Sequence, residues 1–184
     1  MTAILGGRPE GLTALHLDDE IDTRDRLVVV GNGMAGARFV EEVLERGGGE
    51  QFRITVFGDE PHGNYNRIML SPVLAGESAE DEIVLNSHDW YADNGVQLRA
   101  GVRVDRVDTH AKVVHAADGT TTPYDQLVIA TGSRSFIPPM TGLHRGAGDD
   151  ELLPGVFGFR TIDDTRAMLA AAAEHERAVV VGGG

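Results

Sequence analysis

Cysteine is absent from all 184 residues. That removes disulfides, thiolate metal ligands and thiol redox catalysis from this stretch in one step, so any iron-sulfur chemistry has to lie elsewhere. Basic side chains are scarce too: 16 Lys and Arg stand against 29 Asp and Glu, for a formal net charge of -13. Such an exterior repels a phosphodiester backbone or an anionic bilayer surface, which argues against nucleic acid and membrane as partners. No segment approaches the about 18 consecutive apolar residues read as a spanning helix. Met1 to Glu20 hold no basic cluster followed by an apolar run, so a cytoplasmic location is expected by default. His88, His110 and His115 fall at no metal-ligand spacing, and no metal site is expected.

What is present suits a folded domain with a real core, or one domain and the stump of another, since 41% of the residues are hydrophobic. Residues 1–25 mix Gly, Pro and acidic side chains without period and read as a flexible leader. Leu27 to Val30 then form a continuous β-branched apolar run of the kind buried on both faces of a sheet. Gly31-Asn32-Gly33-Met34-Ala35-Gly36 follows at once. Phe39, Val40, Val43 and Leu44 recur at helical spacing, with Arg38, Glu41, Glu42, Glu45 and Arg46 on the other face, and Gly47 to Gly49 end the helix. A second strand, Phe52 to Phe57, completes a βαβ unit of roughly 30 residues.

Further on, Gly58 to Gly76 is rich in side chains that bond, among them Asp59, Glu60, His62, Asn64, Tyr65, Asn66, Arg67 and Ser71, and reads as loop and short helix too polar for core. Ser87 and Gly95 bracket a capped helix, in which Trp90 and Tyr91 anchor the core; His62 reads as a solvated loop histidine. Short β-rich runs from Val96 to His115, then the Asp118-Gly119 turn, predict a meander. Leu127 to Ala130 is a second deeply buried strand ending in Thr131-Gly132. Residues 141–153 read as surface loop, and Thr161 caps a helix with Asp163 and Asp164 in its positive first turn. Ala178 to Val181 predict one more strand, followed by Gly182, Gly183 and Gly184, a junction that repeats the one at Gly31.

The glycine spacing carries the chemistry. In Gly31-x-Gly33-x-x-Gly36 the first glycine permits the tight turn out of the strand, the second lets backbone approach a diphosphate, and the third lets helix pack on sheet. The helix then offers unpaired N–H groups and a partial positive charge to the phosphates. The strand before and the helix after are the context that gives this short pattern its meaning. An acid at the end of the second strand is expected to bond ribose hydroxyls. Asp59 and Glu60 both qualify and the choice between them is open; the plain alternative for either alone is a solvated acidic turn.

Taken in order, GNGMAG, ITVFGDEPHGNYNRIMLSPVLAGE, YDQLVIATGS, GVFGFRTIDD and AVVVGGG resemble the two-dinucleotide-binding-domain flavoproteins that include glutathione reductase and the ferredoxin and rubredoxin reductases. Within that superfamily, NYNRIMLSPVLAG and DWYADNG most resemble the large-subunit family of NAD(P)H-dependent nitrite reductases. The likeness runs from Arg26 to Gly184. It implies an α/β fold: a Rossmann-like FAD-binding domain with a parallel sheet and a β-meander insert over residues 26–160. Residues 161–184 would be a linker helix and the first strand of an NAD(P)H-binding domain, whose truncated motif is Gly182 to Gly184.

By the same resemblance, Gly31, Gly33, Met34, Ala35 and Gly36 hold the FAD diphosphate, and Asp59 or Glu60 faces the ribose. Asn66 and Arg67 lie toward the flavin, where a guanidinium could offset negative charge; the plain alternative is a surface salt bridge. Val104 touches adenine through its backbone. Ala130, Thr131 and Gly132 form a second FAD signature, with Arg134 near the cofactor. NAD(P)H would act through the downstream domain, with siroheme and iron-sulfur clusters further along, and electrons would leave to those redox domains or to an acceptor protein. No proton-transferring side chain is demanded. Two departures matter: Asn64 to Met69 stand where disulfide reductases carry a Cys pair, and Pro72 follows Ser71 where some ferredoxin-reductase relatives place a lysine. A fragment of this kind is expected to bind FAD weakly and not to turn over alone. The rival readings are a ferredoxin- or rubredoxin-type reductase cut at the same place and a non-catalytic remnant of the fold.

Overall fold

The computed structural model describes residues 22–144 and 152–182. Most of the expected leader, part of the 141–153 loop, Gly183 and Gly184 lie outside the described residues. In chain order the elements are β1 (Asp25–Val30), α1 (Met34–Glu45), β2 (Phe52–Gly58), β3 (Asn64–Tyr65), α2 (Leu70–Ala75), β4 (Val84–Asn86), α3 (His88–Asp93), β5 (Gln97–Ala100), β6 (Val104–Asp108), β7 (Val113–Ala116), β8 (Thr121–Pro123), β9 (Gln126–Ile129) and α4 (Ile162–Glu174).

A parallel sheet in the order β5-β2-β1-β9 forms the centre. The unbroken apolar run of β1 is explained by cover on both faces. Leu27 and Val29 point with Ile54 and Val56 into a core closed by Val40 of α1 and by Tyr91 and Val96 around α3. Val28 and Val30 point the other way, with Phe57, against Val114, Ala116 and Tyr124 of the β6-β7-β8 region. Each of these fully buried valines contributes about 1.5–3 kcal/mol relative to exposure. Solvent-facing Arg38, Glu42 and Arg46 form ion pairs along the outer stripe of α1.

Four expectations are corrected. Gln97–Ala100 does not belong to the meander: it pairs in parallel with Thr55 to Gly58 as an edge of the central sheet, leaving β6-β7-β8 as the antiparallel meander. A helix-to-strand crossover returns the chain parallel, and a short apolar alternation cannot distinguish the two pairings. Leu127 to Ala130 is half-buried rather than deeply buried, with Ile129 66% exposed, because β9 pairs with β1 on one side and has no described neighbour on the other. Ala178 to Val181 form no strand; Val179, Val180 and Val181 stand exposed, since no described strand lies beside them to complete a ladder. Finally, the Gly58 to Gly76 segment does enter the core. Tyr65, Leu70 and Val73 pack with Ile83 and with Ile162 of α4, and Asn64 is 2% exposed. Its polar groups can be buried because they are bonded: Asn64 donates to the Asn32 carbonyl, and the Tyr65 phenol has three partners.

Candidate functional site

The glycine turn sits where three strands end together. Gly31 N–H donates to the Phe57 carbonyl at 2.8 Å, and Ala130 N–H donates to the Val30 carbonyl at 2.7 Å, so the exits of β1, β2 and β9 are stitched at one point. Gly31 has φ +116°, and a Cβ there would lie 2.2 Å from the Ala130 carbonyl oxygen. A Cβ on Gly36 would lie 2.0 Å from the Gly31 carbonyl oxygen. Around Gly33 the reverse holds: a Cβ would meet no atom within 4 Å. Gly33 is the N-cap of α1, no side chain caps that end, and no acidic residue occupies its first turn. Met34 and Ala35 are exposed beside it. Two glycines are thus required by packing and the third opens onto space at a bare, partly positive helix end, which suits a diphosphate.

Ala130, Thr131 and Gly132 run alongside this turn. A Cβ on Gly31 or Gly36 would meet Ala130, Thr131 and Gly132 are exposed, and Gly132 has φ +71° with the Arg160 guanidinium close by. Asp59 and Glu60 leave the end of β2 in different settings. Glu60 accepts from the Tyr65 phenol at 2.5 Å and pairs with Arg67 through its other carboxylate oxygen, whereas Asp59 is exposed and makes no hydrogen bond among the described residues. Arg67 also donates to Tyr65 Oη and to the Arg160 carbonyl, each at 2.9 Å, and stacks 5.0 Å from the Tyr65 ring centre. Burial, reinforced by the Glu60 carboxylate, pushes the Tyr65 phenol well above its usual range, so it stays a donor.

Other expected site residues are placed less centrally. The Asn66 side chain caps a short 3-10 turn by accepting from Ile68 N–H. Val104 is half-buried at the start of β6, just past Gly101 and Val102, whose N–H groups donate to the Glu60 and Gly58 carbonyls. Arg134 is exposed in an irregular segment, and Gly182 is exposed with φ +110°. Gly184 lies outside the described residues. His62, rather than simply solvated, has Nε2 3.1 Å from Asp163 Oδ1 and sits edge-on to Tyr65. Sequence reasoning missed two participants. Asn32, the variable position between the first two glycines of the motif, is bonded on several sides, and Arg160 links Arg67 to Gly132 through its carbonyl and guanidinium. The polar residue between two glycines was the one available hint for Asn32; nothing local marked Arg160. Among the described residues no three His, Asp or Glu converge as metal ligands, and no helix is long and apolar enough to cross a membrane.

A parallel sheet with a glycine turn opening a helix at its carboxyl edge defines a dinucleotide-binding protein of the Rossmann class. The chain belongs to the pyridine nucleotide-disulphide oxidoreductase family, whose model matches residues 25–184. Over 161 residues it is 47% identical to the nitrite reductase [NAD(P)H] of Bacillus subtilis (strain 168), covering 88% of this chain and 19% of that protein. It is 45% identical over 161 residues to the assimilatory nitrate reductase electron transfer subunit of the same organism, covering 88% and 20%. The putidaredoxin reductase-putidaredoxin complex superposes with a TM-score of 0.68 at 28% identity, over 80% of this chain and 34% of that one. The chain therefore spans about a fifth of the length of these curated relatives. Proteins of this family bind FAD and NAD(P)H. The disulphide chemistry in the family's name has no thiol to act through in these 184 residues.

Proposed function

We propose that this chain is the FAD-binding portion of an NAD(P)H-dependent nitrite reductase. The carrying observation is the contrast within the glycine motif, closed at Gly31 and Gly36 and open at Gly33. In this reading the N–H groups of Gly33, Met34, Ala35 and Gly36 receive the diphosphate. Asp59 takes the ribose, because both carboxylate oxygens of Glu60 are engaged by Tyr65 and Arg67. Thr131, Gly132 and Arg134 border the cofactor from the β9 side, Val104 from the meander, and Asn66 with Arg67 from the flavin side. FAD held by these residues would supply the capacity to take a hydride from a nicotinamide and to pass electrons on singly. The protein's own residues would bind and orient it, with Arg67 standing there as an ion pair with Glu60 rather than as a free cation.

The nicotinamide site, siroheme and iron-sulfur clusters belong to parts outside this chain, and the setting that goes with the role is the cytoplasm. A second reading is favoured by the 45% identity to an electron transfer subunit: a flavoprotein that passes electrons to a separate acceptor, as a ferredoxin or rubredoxin reductase does. The intact protein, purified gently, should show flavin absorbance at one FAD per chain, bleach with NADH or NADPH under anaerobic conditions, and consume nitrite. Bleaching without nitrite consumption supports the second reading. No flavin, and none taken up on addition of FAD, sinks both.

A further inference from the structure

Resting on the cofactor reading above, we infer that Tyr91 and Asn64 are positioning residues that hold the Asn32–Gly33 peptide in its anion-accepting orientation, so that cofactor affinity is set from behind the turn. In a trans peptide the carbonyl and the following N–H point in opposite directions. The Asn32 carbonyl is held by Asn64 Nδ2 at 3.1 Å, and Asn64 is 2% exposed. With that oxygen drawn into the protein, the Gly33 N–H of the same unit is turned away from it, at a residue whose surroundings are open.

The side chain of Asn32 is locked as well. Its Oδ1 accepts from the fully buried Tyr91 phenol at 2.6 Å, and its Nδ2 lies 3.4 Å from the His62 carbonyl. Gly58 leaves room for it, since a Cβ there would come 2.9 Å from the Asn32 Cβ. Tyr91 is itself fixed by an edge-on contact with Trp90, ring centres 5.0 Å apart. Burial, together with the Glu41 charge, raises the phenol well above its ordinary range, so it donates at every working pH. A turn needed only to reverse the chain has no use for a buried donor on each side of its variable residue. One that must present a given N–H does, because an unheld peptide plane can rotate away from the ligand.

The test uses the intact protein stripped of flavin, with FAD as titrant, in Tyr91→Phe, Asn64→Asp and the double variant. A core control, Val96→Ala, destabilises the same cluster without touching Asn32. Each single variant should weaken FAD binding about tenfold, the scale of one lost buried hydrogen bond, and move the phosphorus NMR shift of the bound diphosphate. The double variant should fall short of the product of the two, as expected for residues acting on one peptide. Val96→Ala should melt earlier yet bind FAD within about twofold of the unaltered protein. Unchanged affinity and diphosphate shift in Tyr91→Phe and Asn64→Asp, or an affinity loss in Val96→Ala as large as theirs, overturns the inference. Failure of the unaltered protein to bind FAD at all overturns the cofactor reading and this inference with it, and is told apart by that first titration.

Discussion

Gly36 sits so near Gly31 that any Cβ on it would fall 2.0 Å from the Gly31 carbonyl oxygen, while Gly33, between them in sequence, faces nothing within 4 Å. One motif therefore contains two kinds of glycine, and they should respond differently to the same added methyl group. Gly36→Ala gains helix propensity of about 1 kcal/mol but forces helix from sheet, and overpacking of about 1–3 kcal/mol or more wins. A lowered melting temperature is the expected result. Gly33→Ala should change stability by less than about 1 kcal/mol, the scale of an N-cap replacement. If the proposed site is right, its cost should appear instead as a loss of FAD affinity of at least about tenfold, because the methyl would enter the open space assigned to the diphosphate. Equal melting and equal affinity in both variants would contradict the assignment.

The two acids after β2 should separate in the same way. Asp59→Asn removes a charge with no described protein partner and should weaken FAD binding by about tenfold, the scale of a charge-assisted hydrogen bond, with stability unchanged. Glu60→Gln breaks the link among Tyr65, Arg67 and the start of α4, and should reduce folding stability by about 1–2 kcal/mol. Titration calorimetry and thermal melts on both variants decide it. If Glu60→Gln alone loses FAD, the ribose role moves to Glu60.

Acid sensitivity should centre on Asp125. Its carboxylate accepts from Arg26 N, Nε and Nη2, all at 2.8 Å, and those bonds hold its pKa far below the usual carboxylate range. A depressed carboxylate contributes stability that is fully present above its unfolded pKa of about 3.9 and is lost as pH falls toward the folded value. Asp125→Asn should therefore melt lower than the unaltered protein at neutral pH, and the gap should narrow steadily below about pH 4. A gap that stays constant down to pH 2 would remove Asp125 from the account. The pair clamps the entry of β9 to β1, so the loss should also loosen Ala130 to Gly132 beside the glycine turn.

Much of the fold could be read locally. The apolar run of Leu27 to Val30, the glycine spacing after it, the Ser87 cap on α3 and the Thr161 cap with Asp164 on α4 each follow from interactions within a few residues, and each stands in the structure. Partner choice was not local. Gln97 to Ala100 became a parallel edge strand, and Val179 to Val181 formed no strand, because a strand's identity depends on the neighbour that completes its hydrogen bonds. The site divides along the same line. The spacing of Gly31, Gly33 and Gly36 was recognisable, but nothing local showed that Tyr65 and Arg67 reach Glu60 across the loop while Asp59 stays exposed.

What the sequence determined by itself is the short-range part: a buried strand, a tight turn only glycine can make, and a helix whose first N–H groups are left uncapped. Tertiary structure alone decided that a tyrosine 59 residues away reaches the middle of that turn and that a buried asparagine holds its carbonyl. The reason is that hydrogen-bond partners brought together by chain crossing carry no periodic or neighbouring signal; only the packed sheet and its covering helix bring them within 3.1 Å.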